Sequence, residues 1–212
     1  MARYSYLVAG RRAAAAREEP RTRLDVEERR KQLVALGIEL FAERTYDDVS
    51  IDELAHAAGI SKGLLYHYFP TKRDFYVATV KQAAQELLDR TATPEGMNPL
   101  DRVRAGLDAY LDYVVKHGKP YASLLRGGVG SDAEVAAIVD ETRDAFCARL
   151  LEGAPFDVTS GGSLLRIVLR GWIGFVEAAT IEWIDARRHV KKDTLRDLLI
   201  ETLLKAVQAA SP

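Results

Sequence analysis

The sequence predicts an all-α protein of about nine helices, and three observations support that reading. Apolar residues recur at three- and four-residue spacing in segment after segment from Leu33 to Val207. Two capping boxes, Ser50 with Glu53 and Ser131 with Glu134, mark helix starts. Between Ser50 and Arg73, two short helical patterns are joined by a glycine and closed by a proline.

Residues 1–24 hold several arginines, an Ala13–Ala16 run and Pro20 without sustained apolar periodicity, and read as a flexible arm. Such an arm either adds phosphate or minor-groove contacts or is an unstructured leader. Residues 25–73 then read as one helical unit and residues 74–212 as a second, larger one. Asp25 caps helix one, whose apolar positions are Leu33, Leu36, Leu40 and Phe41. Helix two opens at Ile51 behind Ser50 and presents Leu54, Ala55 and Ala58, with two small members that let another helix approach closely. Gly59 follows where a turn residue with positive φ costs least.

Ser61 caps helix three, and Ile60, Leu65 and Phe69 point to the core. Lys62, Leu64, Tyr66, His67 and Tyr68 then face outward, and Gly63 offers no side chain to hold the backbone away from a phosphate or base edge. Lysine supplies charge for phosphates, tyrosine and histidine supply hydrogen bonds and flat contact, and leucine meets a thymine methyl. Pro70 ends the helix and Thr71 caps the next, placing Lys72 and Arg73 where a phosphate is favoured. No acid occurs from Leu54 to Arg73.

This segment resembles the tetracycline-repressor (TetR) family over residues 29–76, on the run S-I-D-E-L-A-x-x-A-G-I-S-K-G-L-L-Y-H-Y-F-P-T-K and the L-F-A-E-x-x-Y that precedes it. The resemblance implies a three-helix DNA-binding head on a helical effector domain, working as a homodimer and usually as a ligand-released repressor. By position it assigns DNA contacts to Ser50, Lys62, Gly63, Tyr66, His67, Tyr68 and Lys72 and a DNA-facing place to Leu64; Ser61 is a candidate beside them. One departure is Thr45, where the family usually has glycine, so the exit from helix one is expected to differ.

Helix four runs from Thr71 to about Arg90 with Phe75, Val77, Val80 and Leu87 buried, a lever between head and body. Asn98-Pro99 opens helix five, with Leu100, Val103, Leu107, Tyr110, Leu111 and Val114 at helical spacing. Gly118 and Pro120 punctuate before a short helix that ends at Gly127-Gly128. The box at Ser131 starts a long helix through Val135, Ile138, Val139, Phe146 and Leu150, and 153–162 reads as a loop. The last two helices, about 163–188 and 192–209, are apolar on more than one face. Gly171, Gly174 and Ala178 on one and Ile200, Leu204 and Val207 on the other are the expected homodimer surface, a four-helix contact with a second copy.

The effector is expected between helices five and eight as a small apolar or amphipathic molecule. Tyr110, Tyr113, Phe146, Trp172, Phe175 and Val176 are candidate lining residues, with Trp183 a further one, and Arg126, Arg170 or Glu177 candidate polar anchors. Four histidines and a single cysteine, Cys147, show no metal-ligand spacing, and no phosphate loop or nucleophile elbow is present. No metal, cofactor or catalytic residue is therefore assigned. A net charge of −1 does not exclude DNA binding, because acids gather on helix one and before helix two, away from the recognition helix. With no membrane-length apolar stretch, no secretory leader and no disulfide, the chain reads as cytoplasmic.

The expected function is a DNA-binding transcriptional regulator, a homodimeric repressor of a palindromic operator released by a small molecule. A regulator governed by a protein partner, or a helical enzyme with a DNA-binding head, are the alternatives.

Overall fold

The computed structural model describes residues 26–41, 44–125, 132–152, 158–186 and 189–210, and every regular element among them is helical. In order these are α1 (26–41), α2 (Ile51–Ala57), α3 (Lys62–Tyr68), α4 (Lys72–Arg90), α5 (Pro99–Leu125), α6 (Ala133–Glu152), α7 (Val158–Ala186) and α8 (Lys192–Ala210). The arm at 1–24, Asp25, Arg126, Gly127-Gly128 and Ser131 lie outside the described residues.

Helices α1 to α3 share one core with the first half of α4. Leu33, Val34 and Phe41 of α1 meet Leu54, Ala55, Leu65 and Phe69, and Phe75, Tyr76, Val77 and Val80 of α4 complete the packing. Gly37 lets α1 lie close on α4, since a Cβ there would fall 2.6 Å from Thr79 Oγ1 and 2.7 Å from Phe75 Cζ. This core does not stop at α4: Val135 and Ile138 from the first turns of α6 are buried in it. The second half of α4 belongs to the other core, through Leu87, with α5, the rest of α6, α7 and α8.

The α4 helix spans roughly 28 Å at 1.5 Å per residue, enough to reach both cores. Thr71 and Asp74 form its capping box, with the Thr71 amide donating to Asp74 Oδ2 at 3.0 Å and the Asp74 amide to Thr71 Oγ1 at 3.0 Å.

The described residues hold eight helices, close to the nine expected, because α5 is two helices run together across the place where Gly118 and Pro120 were expected to divide them. Helix α5 continues to Leu125 through a kink at His117, whose φ/ψ of −117° and 21° leave the helical region. Pro120 has no amide to donate to the carbonyl four residues earlier, which locates the kink. Gly118 also sits close to α7, where an added Cβ would lie 3.2 Å from Ile184 Cγ2. Asp132, one residue beyond the expected cap, caps α6: the Glu134 and Val135 amides donate to its Oδ1 at 3.0 and 3.3 Å. Residues 158–162, expected in a loop, are already helical in α7. The two indoles are fixed by backbone oxygens, Trp172 Nε1 donating to Leu199 O at 3.0 Å and Trp183 Nε1 to Val190 O at 2.8 Å.

Candidate nucleic-acid interface and helical cavity

The turn between α2 and α3 is built by backbone bonds that only a left-handed residue permits. Gly59 has φ of 63°; its amide donates to His56 O and the next amide, Ile60, to Ala55 O, both at 3.0 Å. This is a Schellman ending, and it aims α3 away from α2 at a fixed angle. Upstream, the Ser50 amide donates to Glu53 Oε2 at 2.8 Å and the Glu53 amide to Ser50 Oγ at 3.2 Å. Arg44 adds an ion pair to Glu53 at 2.9 Å. The Ser50 amide, the Arg44 guanidinium and the Ser50 hydroxyl together pull the Glu53 carboxyl down to about 2. Thr45 needs no positive φ; its hydroxyl donates to Asp48 Oδ2 at 2.6 Å, and that bond shapes the helix-one exit where glycine is usual.

Helix α3 is anchored through Leu65, 1% exposed, with Phe69, also 1%, at its carboxyl cap. Its amino terminus is capped by Ser61, whose Oγ accepts from the Leu64 amide at 3.1 Å. The surface it offers consists of Lys62, Gly63, Leu64, Tyr66 and His67, all exposed, and open space surrounds Gly63. Tyr68 is half-buried against the core, and its ring meets His67 edge-on at 5.6 Å. Lys62 is not a bare charge, since its Nζ lies 3.0 Å from Asp52 Oδ2 on α2, which raises its pKa.

The two basic residues at the start of α4 differ. Lys72 Nζ sits 4.1 Å above the Tyr46 ring, a cation–π platform that leaves its charge near the head surface. Arg73, expected to favour a phosphate, is instead committed to α6: its guanidinium holds both Asp132 oxygens and Glu134 Oε2 at 3.0 Å. A sequence separation of 59 residues left no local sign of this clasp.

The second core encloses a cavity of about 720 Å³ whose wall is predominantly aliphatic and aromatic. Tyr110, Tyr113, Phe146, Trp172 and Val176 stand on that wall. Phe175 does not: it is 43% exposed on the outer side of α7, because it falls one helical step away from the inward pair Trp172 and Val176. Trp183 is buried but lies off the wall. Of the expected polar anchors, Glu177 lines the cavity, while Arg170 is drawn to Asp140 at 2.7 Å and is not on the wall.

Among the wall residues that went unforeseen are Tyr121, whose hydroxyl is 2.8 Å from that of Tyr110, and Arg143, which grips Glu177 through Nε and Nη2 at 2.9 and 2.7 Å. Burial pushes the phenols of Tyr110 and Tyr121 up, keeping both protonated.

The expected interface residues divide. Gly171, Gly174 and Ala178 are exposed on the outer side of α7, in one stripe with Leu164, Ile167 and Phe175. Ile200 and Val207 turn inward and line the cavity, contrary to expectation, because that face of α8 completes the core rather than an outer surface. Leu204 reaches the cavity rim and is 53% exposed. Cys147 is buried, and burial raises its thiol pKa. Among the described residues no group of His, Cys, Asp and Glu is placed to hold a metal ion, and no helix is long and apolar enough to cross a membrane.

The sequence matches the family described as bacterial regulatory proteins, tetR family, over residues 33–79, and that described as tetracyclin repressor-like, C-terminal domain, over residues 99–206. It is similar to the HTH-type transcriptional activator FasR of Mycolicibacterium smegmatis, 28% identical over 179 residues that cover 81% of this chain and 80% of that one. The HTH-type transcriptional repressor KstR of Rhodococcus jostii is 27% identical over 181 residues, covering 84% and 83%. A solved tetR-family transcriptional regulator from Streptomyces coelicolor aligns with a TM-score of 0.77 at 33% identity, covering 87% of this chain and 82% of that one.

Proposed function

The chain belongs to the TetR family and is a DNA-binding transcriptional regulator, and from that premise we propose a homodimeric repressor of a palindromic operator, released by a small molecule. The observation that carries the proposal is the exposed row Lys62, Gly63, Leu64, Tyr66 and His67 on a short helix anchored on its other side by Leu65 and capped by Ser61. In this reading α3 enters the major groove, with Tyr66, His67 and Leu64 meeting base edges. Ser50, Ser61, Lys62, Tyr68 and Lys72 hold the flanking phosphates and Gly63 lets the backbone approach. The head at 25–73 does this work, the body at 74–212 senses and dimerises, and the protein acts in the cytoplasm where its DNA lies.

The outer α7 stripe of Leu164, Ile167, Gly171, Gly174, Phe175 and Ala178 supports pairing with a second copy. Its glycines leave open space where a partner helix can approach. Cavity volume favours a small molecule over a protein as the controlling signal. Coupling runs through α6, which is clasped to Arg73 and buried in the head core at one end and lines the cavity through Thr142, Phe146 and Leu150 further along. A ligand that moves α6 therefore moves the start of α4, and DNA opposes that ligand by the same factor. Arg143 and Glu177 neutralise one another in the wall, and we assign no catalytic step to them.

Titration of the chain's own upstream DNA against random DNA, at several salt concentrations, tests the reading. Specific binding should weaken steeply with salt, and Lys62→Ala should lower the slope by about one. Equal affinity for both DNAs overturns the regulator assignment; an unchanged slope removes Lys62 from the phosphate contacts.

A further inference from the structure

We propose that the cavity takes a long-chain amphipathic anion, its charged head at Arg102 and Arg149 near the α4–α5 connection and its aliphatic chain running inward between α4, α6 and α7. This deepens the small-molecule control proposed above and rests on it.

The first support is where charge is free. Among the described cavity residues, the exposed ones are Ala92, Glu95, Asn98, Pro99 and Leu100 around the α4–α5 connection, with Glu152 and Leu204, so the cavity opens there. Arg102 and Arg149 stand at that end, each fastened to neutral oxygens. Arg102 Nε donates to Thr93 Oγ1 at 3.3 Å, and Arg149 Nη1 donates to Leu88 O at 2.8 Å and Thr91 Oγ1 at 3.1 Å. Glu95 and Glu152 share the rim, but among the described residues the two guanidiniums bond to Thr93, Leu88 and Thr91 and not to them. Among the described residues both arginines are thus oriented by hydrogen bonds, with Arg149 also over the Phe146 ring at 5.8 Å, and neither has a carboxylate partner, the arrangement that receives a carboxylate or phosphate.

The second support is what lies deeper. Arg143 is spent on Glu177 and on Asp140 at 3.1 Å, and the linked phenols of Tyr110 and Tyr121 are uncharged. An anion placed there would face Glu177 with no free cation, so the charged end belongs at the rim.

The third is length. Wall residues run from Val80 to Thr91 on α4 and from Ile138 to Glu152 on α6. At 1.5 Å per residue these stretches span roughly 16 and 21 Å. An extended chain advancing roughly 1.3 Å per methylene fills them with about twelve to sixteen carbons.

The test uses the full chain and follows binding by tryptophan fluorescence, Trp172 being on the wall. The probes are hexanoate, dodecanoate, hexadecanoate, hexadecanoyl-coenzyme A and the uncharged hexadecanol, each below its micelle concentration. Affinity should rise about threefold per added methylene up to the cavity's length, and the charged C16 probes should bind about tenfold more tightly than the alcohol. Arg102→Gln and Arg149→Gln should each reduce that charge preference, with Arg102→Gln, which removes one hydrogen bond rather than two, as the safer variant for folding. Binding by hexadecanoate assigns the head to a carboxylate; binding by the thioester alone assigns it to coenzyme phosphates. Affinity independent of chain length, or a wild-type protein that binds alcohol and acid equally, overturns the proposal. Operator binding is measured on the same preparation. If it is intact while no chain probe binds, this proposal falls and the regulator reading stands; its absence sinks that reading whatever the ligand does.

Discussion

Replacing Gly37 with alanine adds one methyl group where α1 lies on α4, and the surrounding distances set its cost. The new Cβ would stand 2.6 Å from Thr79 Oγ1, 2.7 Å from Phe75 Cζ and 2.9 Å from Phe75 Cε1. Neither side chain can swing clear. Phe75 is 1% exposed and is wedged edge-on against Phe69 at 4.9 Å, and the Thr79 hydroxyl is tied to Phe75 O at 2.8 Å. Overpacking of this kind costs about 1–3 kcal/mol, and with two immobile neighbours the upper part of that range applies. Alanine returns about 1 kcal/mol through its helix propensity, leaving a net loss of about 2 kcal/mol. For a chain of this size that lowers the melting temperature by about 4–8 °C. Urea and thermal unfolding followed by circular dichroism measure it. Gly106→Ala is the internal control, since its Cβ would meet nothing nearer than Thr91 O at 3.8 Å; it should hold or raise stability. A Gly37→Ala protein as stable as the wild type would show that α1 and α4 are not packed at this distance.

Two further outcomes are expected. Ile167→Asp, on a residue 66% exposed in the α7 stripe, should convert the proposed dimer to a monomer in sedimentation equilibrium while the helical content by circular dichroism is retained; an unchanged mass would move the interface elsewhere. The Glu53 carboxyl, held at about 2 instead of its ordinary 4.5 by the Ser50 amide, Arg44 and the Ser50 hydroxyl, binds fewer protons folded than unfolded. Its stabilisation is therefore complete above about 4.5 and fades as pH falls through about 2, so Glu53→Gln should flatten that part of the acid-stability profile, and parallel profiles would contradict the assigned bonds.

Local chemistry was legible where it is written within one or two turns. The Ser50–Glu53 box, Gly59 as a left-handed ending, and Phe75, Val77, Val80 and Leu87 as the buried side of α4 all follow from spacing alone. The rest depends on partners that spacing does not name. Helical periodicity assigned Phe175 to the same inward side as Trp172, but the neighbouring helices occupy only part of the circumference of α7, and Phe175 falls outside that part. Ile200 and Val207 read as spare apolar surface because a wall around a void has the same composition as an interface. Pro120 signalled a break, and the chain does leave the helical region beside it at His117, while Tyr113 and Val114 before the kink and Tyr121 after it pack in one core. Arg73 looked available because Asp132 and Glu134 are distant in sequence.

The ion pair between Lys62 and Asp52 bears on how such a protein finds its site in a genome. A recognition helix with a bare lysine would attract any stretch of duplex, and a few copies per cell would be held on irrelevant sequence. Here the unbound helix presents that charge already matched by a carboxylate 3.0 Å away, so an arbitrary phosphate gains only by exchange. In the proposed docking, the exchange becomes worthwhile once Tyr66, His67 and Leu64 meet base edges in the same encounter. Asp52, which contacts no base in this scheme, would then shorten residence on wrong DNA, and its removal should tighten binding to random sequence more than binding to the operator.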